Sequence, residues 1–180
     1  TFKVYIDGSA MLAQYGPVVA RFGYAIAAFD DNDELAAAPT GVPPAFVITS
    51  GATELWAYRQ VLKEWPQTPP TITDYRGLVD RMVDEDHRLI GGHKAVDARI
   101  WKDILWTIDQ QFERRTQVPI TWMPSHESTL AIGVVCKSNG QVVTAHDWRA
   151  NRLVDALAKW EVRRWCLTEP EGKLIDTAAK

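Results

Sequence analysis

The chain has 180 residues, a little more than the roughly 150 of an average domain, and a chain of that length buries one full core without staples. Hydrophobic residues make up 46% and charged residues 24%, which excludes a disordered chain, a collagen-like chain and a coiled coil. The 20 basic and 23 acidic residues give a net charge of −3, against the cationic excess of a free-standing nucleic-acid binder.

No apolar run approaches the about 18 residues of a membrane span, and the N-terminus lacks a basic-then-apolar leader. The two cysteines, Cys136 and Cys166, form no CxxC motif, so neither a disulfide framework nor a thiolate zinc site is signalled. The expectation is an intracellular protein, cytoplasmic or nuclear, not secreted and with no membrane partner.

Phe2 to Ile6 alternates and runs into Asp7-Gly8-Ser9, a strand followed by turn residues. Val18 to Phe29 reads as one long strand, and Asp30 to Asp33 turns the chain back. Ala36 to Pro44 is loop by its Pro and Gly content, and Ala45 to Thr49 reads as a third strand. Leu55, Tyr58, Leu62 and Trp65 then recur at helical spacing, with Ser50 as N-cap and Pro69-Pro70 as the stop. Thr71 to Asp74 is a short strand, and Leu78 to Met82 is weakly helical. Ile100, Trp101, Ile104, Leu105, Ile108 and Phe112 form an amphipathic stripe. Val118 to Met123 is a fifth strand, and Asp147 can cap a last helix whose Val154, Leu157 and Ala158 face inward. Between these two lies IGVVCKSNGQVVTA (132–145), where valines flank Asn139-Gly140; a hairpin with a type I′ turn is predicted.

This order gives an α/β fold: a five-stranded mixed sheet, three antiparallel strands then two parallel ones, flanked by helices, with a β-hairpin inserted before the last helix. It reads as a single domain over 1–180 with a tail at 167–180. The eight Trp fall mostly in helical stretches, where core or groove-lining packing is the default.

Four carboxylates stand out. Taken singly, Asp7 and Asp74 are turn residues at strand ends, and Glu54 suits the positive end of a helix dipole. Asp155 is harder to place, because an unpaired carboxylate beside Val154 and Ala158 carries a desolvation cost. Arg152 three residues earlier would relieve it, and a bound cation would do so more completely. Together the four make an oxygen-rich site suited to Mg²⁺ rather than zinc. Two such ions about 3.5–4 Å apart are the usual clamp for in-line displacement at a phosphodiester.

The ordered set YIDGS (5–9), TELWA (53–57), TITDY (71–75), WMPSH (122–126) and NRLVDALA (151–158) resembles the type 1 ribonuclease H family over nearly the whole chain. The resemblance implies a ribonuclease H-like fold and an Mg²⁺-dependent endonuclease, Mn²⁺ being a substitute, that cuts the RNA strand of RNA–DNA hybrids to 5′-phosphate and 3′-hydroxyl ends. Its four metal ligands map to Asp7, Glu54, Asp74 and Asp155, which with His126 form the catalytic set. His126 would assist proton transfer or product release. Ser9, Thr49, Ser50 and Asn151 would contact the hybrid, whose wide minor groove displays 2′-hydroxyls. Each of these four also reads as an ordinary turn, cap or surface residue.

The sequence departs from the family at three places. Tyr75 follows Asp74 where serine is usual. The gap from His126 to Asp155 is long, 29 residues, and the predicted hairpin fills most of it; His146, just after, is a second candidate for the loop role. Where some members carry a lysine-rich helical grip, residues 84–102 begin Asp84-Glu85-Asp86 and offer few cations. That resembles retroelement ribonuclease H domains, which lean on an attached reverse transcriptase, and the start at Thr1 fits a domain cut from a retroelement polyprotein.

Other readings carry less. His87 and His93 lack a metal-ligand spacing. Ser125-His126-Glu127 lacks a nucleophile elbow. A D-x-E exonuclease does not fit Asp7-Gly8-Ser9, and a transposase or integrase core would end its set with Glu. The alternatives kept are a ribonuclease H-fold scaffold or connection domain without chemistry and a nuclease for another nucleic acid.

Overall fold

The structure, a computed structural model, describes residues 2–16, 19–83, 97–111, 120–125 and 127–178. Strand β1 (Lys3–Met11) pairs antiparallel with β2 (Arg21–Phe29) along its whole length, from Lys3 opposite Phe29 to Met11 opposite Arg21. Two short edge segments, β3 (Leu35–Ala37) and β4 (Thr40–Gly41), lie antiparallel along the other side of β2. On the far side of β1, β5 (Thr71–Thr73) and β6 (Ile120–Trp122) add in parallel, giving the order β3-β2-β1-β5-β6 with β4 also on β2. The α-helices are α1 (Ser50–Glu64), α2 (Arg76–Val83), α3 (Ala98–Gln111), α4 (Ala145–Trp165) and α5 (Glu169–Ala178), with short 3-10 turns at Ala13–Tyr15 and Thr129–Ala131.

The expected mixed sheet is present, with the third strand position moved. The apolar run Ala45 to Thr49 does not pair; Val47 turns into the core, its N–H on the Pro44 carbonyl. Residues 35–41, of which Ala36 onward read as loop, supply the edge instead, and the Pro39 carbonyl accepts from Ile26. An edge strand needs only one hydrogen-bonded side, so Pro and small exposed residues serve there. The second strand begins later than expected, because Val19 and Ala20 donate to the Gly16 carbonyl in a turn. The first strand runs through Asp7-Gly8-Ser9 instead of ending there.

Central strand β1 separates two cores. Val4 and Ile6 point to one side, with Leu55, Tyr58 and Leu62 of α1 and Trp101 and Ile104 of α3. Tyr5 points to the other, with Ala25 and Ala27 of β2, Met123, and Val154 and Ala158 of α4. Burial on both faces explains why this strand is apolar at successive positions rather than strictly alternating. In the stripe of α3, Ile100, Trp101 and Ile104 are buried and Ile108 packs against them, while Phe112 lies outside the described residues; Trp106 and Trp160 are exposed.

The hairpin over 132–145 takes a different form. The Lys137 N–H donates to the Gln141 carbonyl (2.8 Å) and the Gly140 N–H to the Lys137 carbonyl (3.0 Å). Gly140 has φ +80° while Asn139 stays at negative φ, so the loop is a three-residue turn closed by a left-handed glycine, not type I′. A single antiparallel bridge, Cys136 to Val142, follows. The turn folds onto the outer strand of the sheet: Ser138 N–H donates to the Trp122 carbonyl, and Trp122 N–H to the Ser138 hydroxyl, both at 2.9 Å.

Two caps differ from expectation by a residue or a role. Thr49, not Ser50, caps α1, accepting from Ala52 N–H. Thr144 caps α4, and Asp147 is the reciprocal acid of a capping box. Asp147 has a second task. It is fully buried and accepts from the Tyr5 hydroxyl (2.5 Å) and the Lys137 ammonium (2.9 Å). Burial alone would raise its carboxyl, but the bonds from Tyr5, Lys137 and Thr144 bring it down to about 2. Central strand, inserted turn and last helix are thus tied at one carboxylate.

Removing one partner of a buried pair strands the other charge, so Lys137→Met is expected to destabilise the chain by about 3–5 kcal/mol in chemical denaturation near neutral pH. The Asp147 contribution is complete above the unfolded value of 3.8 and fades as pH falls through about 2. The deficit of the variant should therefore shrink in acid.

Candidate active site

Asp7 lies on β1, one residue before Gly8, whose missing side chain sets the site. A Cβ on Gly8 would fall 2.7 Å from the Glu54 backbone nitrogen and 2.9 Å from Thr53. Only glycine lets the first turns of α1 rest on the strand this closely. The Ser50 hydroxyl fixes the same approach by donating to the Gly8 carbonyl (3.0 Å). Asp74 follows the last residue of β5, which is parallel to β1 and adjacent to it. Carboxylate oxygens of Asp7, Glu54 and Asp74 come within 4.8 Å of one another.

This grouping is electrostatically expensive. Burial raises the Asp7 carboxyl, and the charges of Asp74 and Asp155 push it further, to about 8, against a smaller lowering by the Gly8 N–H at 2.7 Å. Burial, Asp74 and Asp7 likewise hold Glu54 well above the usual carboxylate range, while the Thr73 hydroxyl, donating to it at 3.0 Å, opposes them. Each carboxyl is raised by a neighbouring acid, Asp7 by Asp74 and Asp155, and Glu54 by Asp74 and Asp7. An all-oxygen donor set whose members are driven toward protonation fits a hard divalent cation, which would relieve the repulsion.

Asp155 approaches from α4, which comes close to the sheet over Gly23, where a Cβ would meet Val162 at 2.9 Å. Lys159, one turn later, holds both Asp155 oxygens, at 2.7 and 2.8 Å; the partner anticipated at Arg152 is instead over the Trp148 ring, 4.8 Å from its centroid. Asn151 and Asp155 share one face of α4, as their spacing of four implies, and line a cavity of about 190 Å³ with Met123, Pro124 and Trp148.

Among the other predicted residues, Ser9 is buried on β1, two positions beyond Asp7. Thr49 and Ser50 are occupied as the cap of α1 and as the link to Gly8. His126, His87 and His93 lie outside the described residues, as do positions 84–96 of the acidic stretch. His146 does not reach the acids. It packs edge-on against Phe29 (4.6 Å between centroids), with Nε2 3.5 Å from Asp33 at the opposite end of β1. Its apolar surroundings explain its place, and burial lowers its pKa. Sequence reasoning missed Thr73 and Lys159; the spacing of Lys159 four after Asp155 was the available signal.

Tyr75, the departure after Asp74, is accommodated by two glycines. A Cβ on either Gly51 or Gly77 would lie 2.8 Å from the Tyr75 ring. The larger side chain therefore fills space vacated on α1 and α2 and leaves Asp74 within the acidic group.

No family model and no curated protein matches the sequence. Solved structures do. The foamy viral protease-reverse transcriptase in complex with RNA/DNA hybrid matches with TM-score 0.59 and 18% identity, over 89% of this chain and 20% of that one. LC11-RNase H1 in complex with RNA/DNA hybrid matches with TM-score 0.55 and 12% identity, over 91% of this chain and 98% of that one. The chain has a ribonuclease H-like fold. The PFV RNase H domain in solution matches it too, with TM-score 0.54 and 17% identity over 90% of this chain and 94% of that one. This ribonuclease H-like chain thus spans a fifth of the foamy viral protein and nearly the whole of the two free-standing domains.

Two variants probe this geometry. Asp7→Asn is expected to raise stability, on the order of 2 kcal/mol at pH 8 without divalent ions. The wild-type penalty sets in above the unfolded value of 3.8 and is full above about 8, so the gain should vanish near pH 4 in thermal melts. Gly8→Ala should cost about 1–3 kcal/mol by overpacking and weaken divalent-ion uptake measured by calorimetry.

Proposed function

We propose that this chain is a type 1 ribonuclease H, an endonuclease that hydrolyses the RNA strand of RNA–DNA hybrids with two Mg²⁺ ions, Mn²⁺ serving as a substitute. The observation that carries this reading is the convergence of Asp7, Glu54 and Asp74, with Asp155 near enough for its charge to raise the Asp7 carboxyl, on a ribonuclease H-like sheet. A scaffold without chemistry has no use for buried carboxyls that repel one another.

Bound there, Mg²⁺ supplies charge stabilisation at the scissile phosphate and acidifies the attacking water. Asp7, Glu54 and Asp74 hold one position, and Asp155 with Asp7 contributes to the second. Asn151 presents its amide beside Asp155 to the sugar edge of the RNA strand. Ser9, Thr49 and Ser50 offer small polar groups near the same end of β1 and α1 for 2′-hydroxyls. His126 assists proton movement or product departure, leaving 5′-phosphate and 3′-hydroxyl ends.

The foamy viral neighbour joins its domain to a protease and a reverse transcriptase. The net charge of −3 supports the same arrangement here, a domain that borrows substrate affinity from an attached reverse transcriptase.

A cleavage assay on matched RNA–DNA, RNA–RNA and DNA–DNA duplexes tests the proposal. Only the hybrid should be cut, only in its RNA strand and only with a divalent ion. Asp7→Asn should lose far more than the roughly 10–100-fold that a supporting residue of a metal site costs. Wild-type rates in Asp7→Asn, or equal cutting of all three duplexes, would refute it.

A further inference from the structure

The fourth acid is built differently from the other three. Asp7, Glu54 and Asp74 gather their carboxylate oxygens without Asp155. Asp155 is engaged at both oxygens by the Lys159 ammonium, 2.7 Å from Oδ1 and 2.8 Å from Oδ2, and its charge is felt by Asp7. The pair is more than a solvated contact along a helix, because Lys159, Asp155 and Asn151 line one cavity. Side-chain exposure is 42% for Lys159 and 28% for Asp155, so the ammonium has water to move into if it is displaced.

Resting on the metal-binding reading above, we infer that Lys159 is a positioning residue that grades the two cation positions. The three-acid position is ready-made and fills first. The position that uses Asp155 with Asp7 fills against the charge of the Lys159 ammonium, since a divalent cation beside the same oxygens is repelled by that ammonium until it swings away. The lysine therefore lowers the affinity of the second position and leaves the first nearly untouched. It also holds Asp155 oriented while that position is empty.

Calorimetric titration of the whole chain with MgCl₂, repeated with Mn²⁺ by electron paramagnetic resonance, reads this directly. Wild type should show two unequal sites. Lys159→Met should tighten the weaker one by about five- to tenfold and leave the stronger within error. Lys159→Arg keeps the charge and should stay like wild type, whereas Asp155→Asn should abolish the weaker site alone. Thermal melts of each variant confirm that it is folded. Two equal sites in wild type, or a weaker site in Lys159→Met that is unchanged or looser, overturn the inference while leaving the metal-binding reading in place. A wild-type chain that takes up neither ion overturns that reading and this inference with it.

Discussion

The backbone of α1 rests on β1 at a point where no side chain stands between them. A single Cβ at Gly8 would collide with the Glu54 amide and with Thr53, and much of the acidic group follows from its absence. Glu54 reaches Asp7 because their backbones are pressed together, not because the carboxyls attract. The pressure comes from the core below, where Val4, Ile6, Leu55 and Tyr58 are fully buried. Apolar burial on that face pulls α1 onto the strand and holds like charges at short range. A site of this kind is stable as architecture and unstable as electrostatics, a common condition of sites that work on charged substrates.

The opposite face is organised by a different device. Asp147 gathers Tyr5 from the central strand, Lys137 from the inserted turn and Thr144 at the start of α4. Every partner is a donor, so this buried carboxylate stays ionised, the reverse of Asp7 two residues along the strand from Tyr5. Two neighbouring alternations of one strand thus lead to a satisfied charge and a frustrated one. The first anchors α4, and α4 then carries Asn151 and Asp155 toward the second.

Much of this was readable from residue order. Asp7 and Asp155 fell on the strand and helix expected of them, Glu54 lies in α1 but past its first turn, Asp74 sits one residue beyond β5, and the four-residue step from Asn151 to Asp155 placed both on one lined face. The parallel placement of β5 beside β1 followed from a helical crossover. What the sequence hid was mostly pairing decided by distant partners. Ala45 to Thr49 looks like a strand by composition, yet β2 pairs with the less apolar residues 35–41, since an edge position asks for backbone groups and not for side-chain burial. Asn139-Gly140 suggests a two-residue turn, but the Lys137–Gln141 bond closes a three-residue loop. Asp147 reads as a cap, and nothing local announces that Tyr5, 142 residues away, donates to it. Tyr75 reads as a departure until Gly51 and Gly77 are seen beneath its ring.

The inserted turn has a bearing on solubility as well as on shape. Strand β6 ends the sheet, and the backbone groups of Trp122 that face away from β5 are met by Ser138. An outermost strand left bare is a template for another chain. A version of this protein shortened between β6 and α4 would uncover that template and invite self-association.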